Sequence, residues 1–306
     1  MFNIFPEWLY NKLASDYLKD YIYEIRLRVG KPIVVCYKGC YEKITIKEGF
    51  KTRFVVATKD LINHIIMVAT KHSLYAYNQE IKQGFITTDS GIRIGICGQV
   101  VYDKGEVSTI KNVTSLNIRI AHQVMNCSEQ IINLIAQNGK VKNTLIISPP
   151  GAGKTTMVRD LVFKLADEKG LQNILVVDER FEIAGVGDYS FDLGMGVDVV
   201  SGAGKEYAFS NMIKTMNPSV IVTDEISNAN DINEICQTAR SGVGVIATAH
   251  AESLNDIKNK KFFSKLLEEK IFERIVVLSK RFGVGTVEVV VDENLKGLYL
   301  PSRLWK

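Results

Sequence analysis

The sequence predicts an α/β fold, a parallel-rich sheet around a phosphate-binding loop, preceded by a smaller α+β domain. Four short apolar runs at 144–147, 174–177, 220–223 and 245–248 alternate with helical stretches, the order required by a parallel sheet covered on both faces. The segment SPPGAGKTT, residues 148–156, falls between the first run and a helix, where such a sheet presents phosphate-binding backbone. Before residue 125 the pattern differs, with alternating β-rich stretches around one amphipathic helix. The expected domains are therefore 1–125 and 126–306.

Bulk composition narrows the function classes. A chain of 306 residues, 46% hydrophobic and 24% charged, can bury two ordinary cores, and no apolar run approaches the roughly 18 residues needed to span a bilayer. The opening MFNIFPEWLYNKLASDYLKD lacks a basic leader followed by an apolar core, so a cytosolic protein is expected. Interspersed charges, 38 Lys+Arg against 34 Asp+Glu, sum to only +4, and no direct nucleic-acid partner is expected from them. Five scattered cysteines, Cys36, Cys40, Cys97, Cys127 and Cys236, form neither a disulfide framework nor a zinc pattern and are expected to be reduced.

Residues 23–45 alternate and carry turn residues at Gly30-Lys31-Pro32 and Lys38-Gly39, which is strand material. Residues 58–72 place Leu61, Ile62, Ile65, Val68 and Ala69 on one helical face after a Thr58 N-cap. The stretch 91–110 is β-rich, with Asp103-Lys104-Gly105 as a hairpin turn beyond its first strand. In the second domain, helices at 154–169, 207–216 and 229–241 end respectively at Gly170, before Asn217-Pro218 and at Gly242. Another helix follows Ser253, and 274–292 reads as a terminal hairpin.

Within 148–156, Gly151 and Gly153 clear side chains from a backbone that can hold a phosphate chain, while Lys154 sets a cation against the terminal phosphates. The Thr155 hydroxyl can complete a magnesium shell. Ser148, Pro149, Pro150, Ala152 and Thr156 make up the rest of the expected ATP loop, with Ser148 standing where the usual pattern has glycine. SGAGKE at 201–206 resembles a second such loop but has Glu206 in place of the metal-binding hydroxyl, and no clean strand-to-helix switch surrounds it. Hydrolysis also needs carboxylates to position water and metal. Asp178 and Glu179 follow one apolar run, Asp224 and Glu225 another, and His250 a third; in an open parallel sheet these ends converge on one crevice. His64, His72 and His122 receive no role.

The order of these boxes resembles the secretion-ATPase superfamily, whose ATPase domain is RecA-like. EIRLRVGKP, GIRIGICGQVV, SLNIRIA, SPPGAGKTT, VVDERFEIAG, MNPSVIVTDEI and ATAHAES together are similar to the stage III sporulation protein AA family, and that family's loop also starts with SPPG. The resemblance implies an ATPase of the mother-cell cytoplasm, using ATP and Mg2+, that energises a channel between mother cell and forespore. It further implies a hexamer docked at the membrane through a membrane-embedded channel protein. Carried over by residue, Lys154 and Thr155 meet phosphates and magnesium, and Asp178 activates water, with Glu179 and Glu182 as companions. Asp224 and Glu225 form the metal-side acidic pair, His250 is the His-box histidine, and Arg93 and Arg119 neutralise transition-state charge. Asp178 stands where pilus motors have glutamate, which leaves Asp178 and Glu179 as alternatives for the water. A RecA-like ATPase stimulated by nucleic acid and a nucleotide-gated scaffold are the competing readings.

Overall fold

The computed structural model describes residues 3–18, 21–88, 92–137, 139–171, 173–186, 189–259 and 261–299. It contains two compact units, residues 1–122 with 186–190, and 123–185 with 191–306. Among the described residues no helix is long and apolar enough to cross a membrane.

In the first unit, helix α1 (Glu7–Asp16) precedes an antiparallel sheet of β1 (Ile22–Arg28), β2 (Val34–Tyr37), β3 (Cys40–Lys43), β4 (Phe85–Thr87), β5 (Arg93–Asp103) and β6 (Glu106–Arg119). The strand order is β3-β2-β1-β6-β5-β4. Ile25, Leu27, Ile94 and Ile118 are fully buried and share a core with Ile62 and Ile65 of α2 (Lys59–Ala69) and Ile81 of the short α3 (Asn78–Lys82). As expected, the Thr58 hydroxyl accepts from the Leu61 N–H at 3.1 Å and caps α2. The β5–β6 turn has positive φ at both Lys104 (50°) and Gly105 (86°), the backbone twist a two-residue hairpin needs. Gly91, at the head of the expected 91–110 stretch, lies outside the described residues.

The second unit is built on eight strands: β7 (Thr144–Ser148), β8 (Ile174–Asp178), β9 (Val197–Ser201), β10 (Val220–Glu225), β11 (Gly244–His250), β12 (Arg274–Ser279), β13 (Thr286–Asp292) and β14 (Gly297–Tyr299). Their order is β9-β8-β10-β11-β7-β12-β13-β14. The first six in this order pair in parallel, and β13 and β14 close the edge antiparallel. Because side chains alternate along a strand, Leu145, Ile147 and Ile221 feed one buried cluster, while Ile146, Val220 and Val222 feed the other. Burial on both faces explains the continuous apolar runs.

Two parallel strands exceed the four expected. Strand β9 has no continuous apolar run because it is an edge strand, half-buried to exposed along its length. Strand β12 was expected only as a hairpin arm; it is that, and it also pairs in parallel with β7 from Thr144↔Arg274 to Ile147↔Val277.

Helix α4 (Glu129–Ile135) and helix α5 (Lys154–Asp167) are joined by a buried carboxylate. Asp160 of α5 is fully buried, and it accepts the Asn126 N–H at 2.8 Å and both the Ser128 N–H and hydroxyl at 2.7 Å. Asp160→Ala strands these donors and should cost about 2–4 kcal/mol, read as a lower urea midpoint for the second unit.

Candidate functional site

Strand β7 ends at Ser148 and α5 begins at Lys154, so the five residues between them are the phosphate-loop candidate. Gly151 (φ 69°) and Gly153 (φ 93°) are left-handed, where a Cβ is strained. Space is also tight there: a Cβ at 153 would stand 3.1 Å from Val284 Cγ1, and one at 151 would stand 3.1 Å from the movable Lys280 Nζ. The turn after β12 thus packs on the loop, and the Gly285 N–H donates to the Ala152 carbonyl at 3.0 Å. Ser148 is not among the positive-φ residues, so its place demands no glycine. Its hydroxyl donates to the Pro149 carbonyl at 2.7 Å and tightens the turn.

Lys154 is 8% exposed and folds back over the loop. Its Nζ lies 3.3 Å from the Ser148 carbonyl, 3.4 Å from the Ser148 hydroxyl and 2.8 Å from His250 Nδ1. Parallel pairing of β7 with β11, in register at Ser148↔His250, brings this histidine to the loop. His250 Nε2 in turn sits 3.1 Å from Glu225 Oε2. These partners assign the tautomer: Nδ1 accepts from the ammonium, and Nε2–H donates to the carboxylate. Burial lowers the Lys154 pKa below the usual lysine value, with Glu225 and Glu182 opposing the shift.

The acidic residues divide into two kinds. Asp178, at the end of β8, is 0% exposed, and both its oxygens are taken by backbone. Oδ1 accepts the Glu182 N–H at 2.8 Å, and Oδ2 accepts those of Ile183 at 3.0 Å and Ala184 at 2.8 Å. Arg159 of α5 braces the same loop, donating to the carbonyls of Ile183 at 2.9 Å and Glu182 at 2.8 Å while lying 3.6 Å over the Phe191 ring. Burial brings its pKa down to about 10 even with Asp178 opposing. Glu179 and Asp224 instead converge on one cation. Lys205 Nζ is 2.9 Å from Glu179 Oε2 and 2.7 Å from Asp224 Oδ1. The Asp224 contact is an ion pair through Oδ1, and among the described residues Asp224 Oδ2 has no hydrogen-bond partner. Burial raises the Asp224 pKa although Lys205 pulls it down; burial likewise works against the Lys205 charge, but the two carboxylates outweigh it and hold its pKa above normal.

The family model for sporulation stage III, protein AA matches residues 8–298. The chain belongs to that family. Stage III sporulation protein AA of Bacillus subtilis (strain 168) is 31% identical over 300 residues, 95% of this chain and 94% of the relative. The solved ATPase DotB of Yersinia pseudotuberculosis gives a TM-score of 0.61 at 14% identity, covering 89% of this chain and 74% of that one. The pilus retraction motor PilT, solved with ADP bound, gives 0.57 at 13% identity over 96% of this chain and 83% of that one. At such identities the likeness shows the fold, a RecA-like domain with a parallel-rich sheet preceded by a smaller α+β domain.

In this member of the sporulation stage III, protein AA family, residues 148–153, Asp178, Glu179, Asp224, Glu225 and His250 belong to the carboxyl ends of parallel strands or the turns that follow, and Lys154 and Thr155 open α5. Arg93 and Arg119 belong to the first unit, where they face each other in register on β5 and β6. Arg93 stacks 4.4 Å over the Phe85 ring, and Arg119 is exposed. Lys205 receives no role from the sequence, where SGAGKE has Glu206 in place of a metal-binding hydroxyl and no clean strand-to-helix switch around it. The structure does have that switch: β9 ends at Ser201, and a helical segment runs from Lys205 to Met216 with one π turn at Ala208–Met212. A lysine at the first position of a helix, against the helix dipole, is the signal that would have singled it out.

The residues suit a magnesium nucleotide. Left-handed glycines leave backbone free for phosphate, and the Thr155 hydroxyl and the Asp224 carboxylate, whose Oδ1 faces Lys205, are hard donors of the kind magnesium takes. Among the described residues no group of three or more His, Cys, Asp or Glu is arranged to hold a metal. Magnesium in phosphate sites uses one or two carboxylates and takes its remaining ligands from phosphate and water. Asp178→Ala should release the 182–184 backbone and cost about 3–5 kcal/mol, seen as a fall of roughly 6–15 °C in the unfolding midpoint.

Proposed function

We propose that this chain is an ATP-hydrolysing, secretion-type motor that energises a channel between mother cell and forespore. It acts as a hexamer, held at the mother-cell membrane by a membrane-embedded channel protein. The observation that carries this reading is the continuous chain Ser148–Lys154–His250–Glu225, which links a phosphate loop to a carboxylate at the next strand end but one. Such a chain lets the presence of a terminal phosphate be felt at the carboxylate.

On nucleotide binding, Lys154 exchanges Ser148 and His250 for phosphate oxygens, and the loop N–H groups at 151–155 hold the rest of the phosphate chain. Thr155 and Asp224, with Glu225 beside them, would hold Mg2+, whose charge screens the phosphates when bound. Glu225 orients the attacking water and draws its proton, and His250, released by Lys154, fixes the Glu225 carboxylate through Nε2–H. Asp178 and Glu179 are the alternatives the sequence offers for activating water; because both Asp178 oxygens accept backbone N–H groups and Glu179 pairs with Lys205, this reading gives Asp178 the ordering of the loop and Glu225 the role of base. Arg93 and Arg119 supply cations to the transition state, a role proposed from the family resemblance.

Lys154→Ala should lower ATPase kcat/KM by about 10³-fold, and Glu225→Gln should lower kcat by at least about 10²-fold while ATP still binds. Wild-type turnover in both variants rejects the motor. Removing the imidazole in His250→Ala should reduce kcat by about tenfold or more and leave ATP affinity nearly unchanged, as measured by equilibrium binding beside turnover. Light scattering across protein concentration should show a ring, and a monomer at every concentration rejects the hexamer.

A further inference from the structure

Lys205 belongs to none of the roles above, yet it is 5% exposed and holds two acidic strand ends at once, Glu179 after β8 and Asp224 on β10. We propose that Lys205 is a built-in counter-cation that competes with the divalent metal for Asp224, so that metal enters only together with nucleotide. This rests on the reading of Asp224 as the metal-side carboxylate.

Asp224 Oδ1 faces the ammonium at 2.7 Å, while Oδ2 and the neighbouring Thr223 hydroxyl are buried with no hydrogen-bond partner among the described residues. The carboxylate therefore has one oxygen engaged and one vacant. A magnesium ion held by Asp224 would share the carboxylate with the Lys205 ammonium, within a few ångströms of it. At that separation the repulsion between a divalent ion and an ammonium is many times thermal energy even in a polar protein medium. The phosphates bring the negative charge that offsets it, and Lys205 then keeps Glu179 and gives up Asp224. Lys205 opens the helical segment that runs to Met216, so its choice between the two carboxylates ties that segment to the state of the site.

The test is thermal unfolding of the full chain without nucleotide, with Mg2+ titrated to about 10 mM. Wild type and Lys205→Arg should shift by less than about 1 °C. Lys205→Met, similar in length and uncharged, should unfold at a lower temperature without Mg2+ and recover by about 4–8 °C with it. Asp224→Asn in the Lys205→Met background should remove that recovery. The proposal is overturned if Mg2+ stabilises wild type as much as Lys205→Met, or if Lys205→Met ignores Mg2+. If Lys205→Met folds only with Mg2+ present, its unfolding by a chelator supports the proposal. If it folds under neither condition, Lys205→Met with Glu179→Gln leaves a single stranded carboxylate, and the same two outcomes decide. Turnover does not enter this measurement, so loss of the motor reading in the ATPase assays and loss of this inference are separate results.

Discussion

Parallel pairing brings the carboxyl ends of neighbouring strands to one edge of a sheet, and the charged groups of this protein's candidate site follow from that constraint. Ser148 and His250 are register partners on adjacent strands, and β10, which carries Asp224 and Glu225, is the next neighbour of β11. With the strands fixed by buried apolar residues on both faces, the ends have little freedom, so each charge there must be met by another group at the same edge. Lys154 is met by Ser148 and His250, Glu225 by His250, and Glu179 and Asp224 by Lys205.

This arrangement separates groups that hold the site from groups able to change partners. Asp178 and Arg159 are of the first kind: both are buried and bound to the backbone N–H or C=O groups of the same 182–184 stretch. Breaking either leaves backbone polar groups unsatisfied, which is costly. Lys154, His250, Glu225, Lys205 and Asp224 are of the second kind. Apart from the Ser148 carbonyl beside Lys154, their partners named above are side chains 2.7 to 3.4 Å away, and exchanging them breaks no strand pairing. A site that responds to ligand needs both kinds, one to preserve geometry and one to register the change.

The phosphate loop shows how local chemistry and packing share the work. Two left-handed glycines and two prolines shape the turn, and the 280–285 turn after β12 crowds the place a Cβ at 153 would take. Glycine at that position therefore meets a backbone requirement and a packing requirement together. The serine at 148 lies outside the left-handed region, and its hydroxyl serves the turn.

The α/β class, the buried strands, the glycine-lysine segment between strand and helix, and the acidic residues and His250 at strand ends could be read from the chain alone, because each is a local pattern of apolar runs and turns. The Thr58 cap and the Lys104-Gly105 hairpin were legible for the same reason. Which charges meet emerged from the folded arrangement. Nothing along the chain tells that Lys205 reaches Asp224, that Asp178 is turned inward onto its own loop, or that edge strand β9 exists beside β8. Ion pairing and hydrogen bonding depend on distances between residues far apart in sequence, and those distances are set by strand order, which local propensity does not encode.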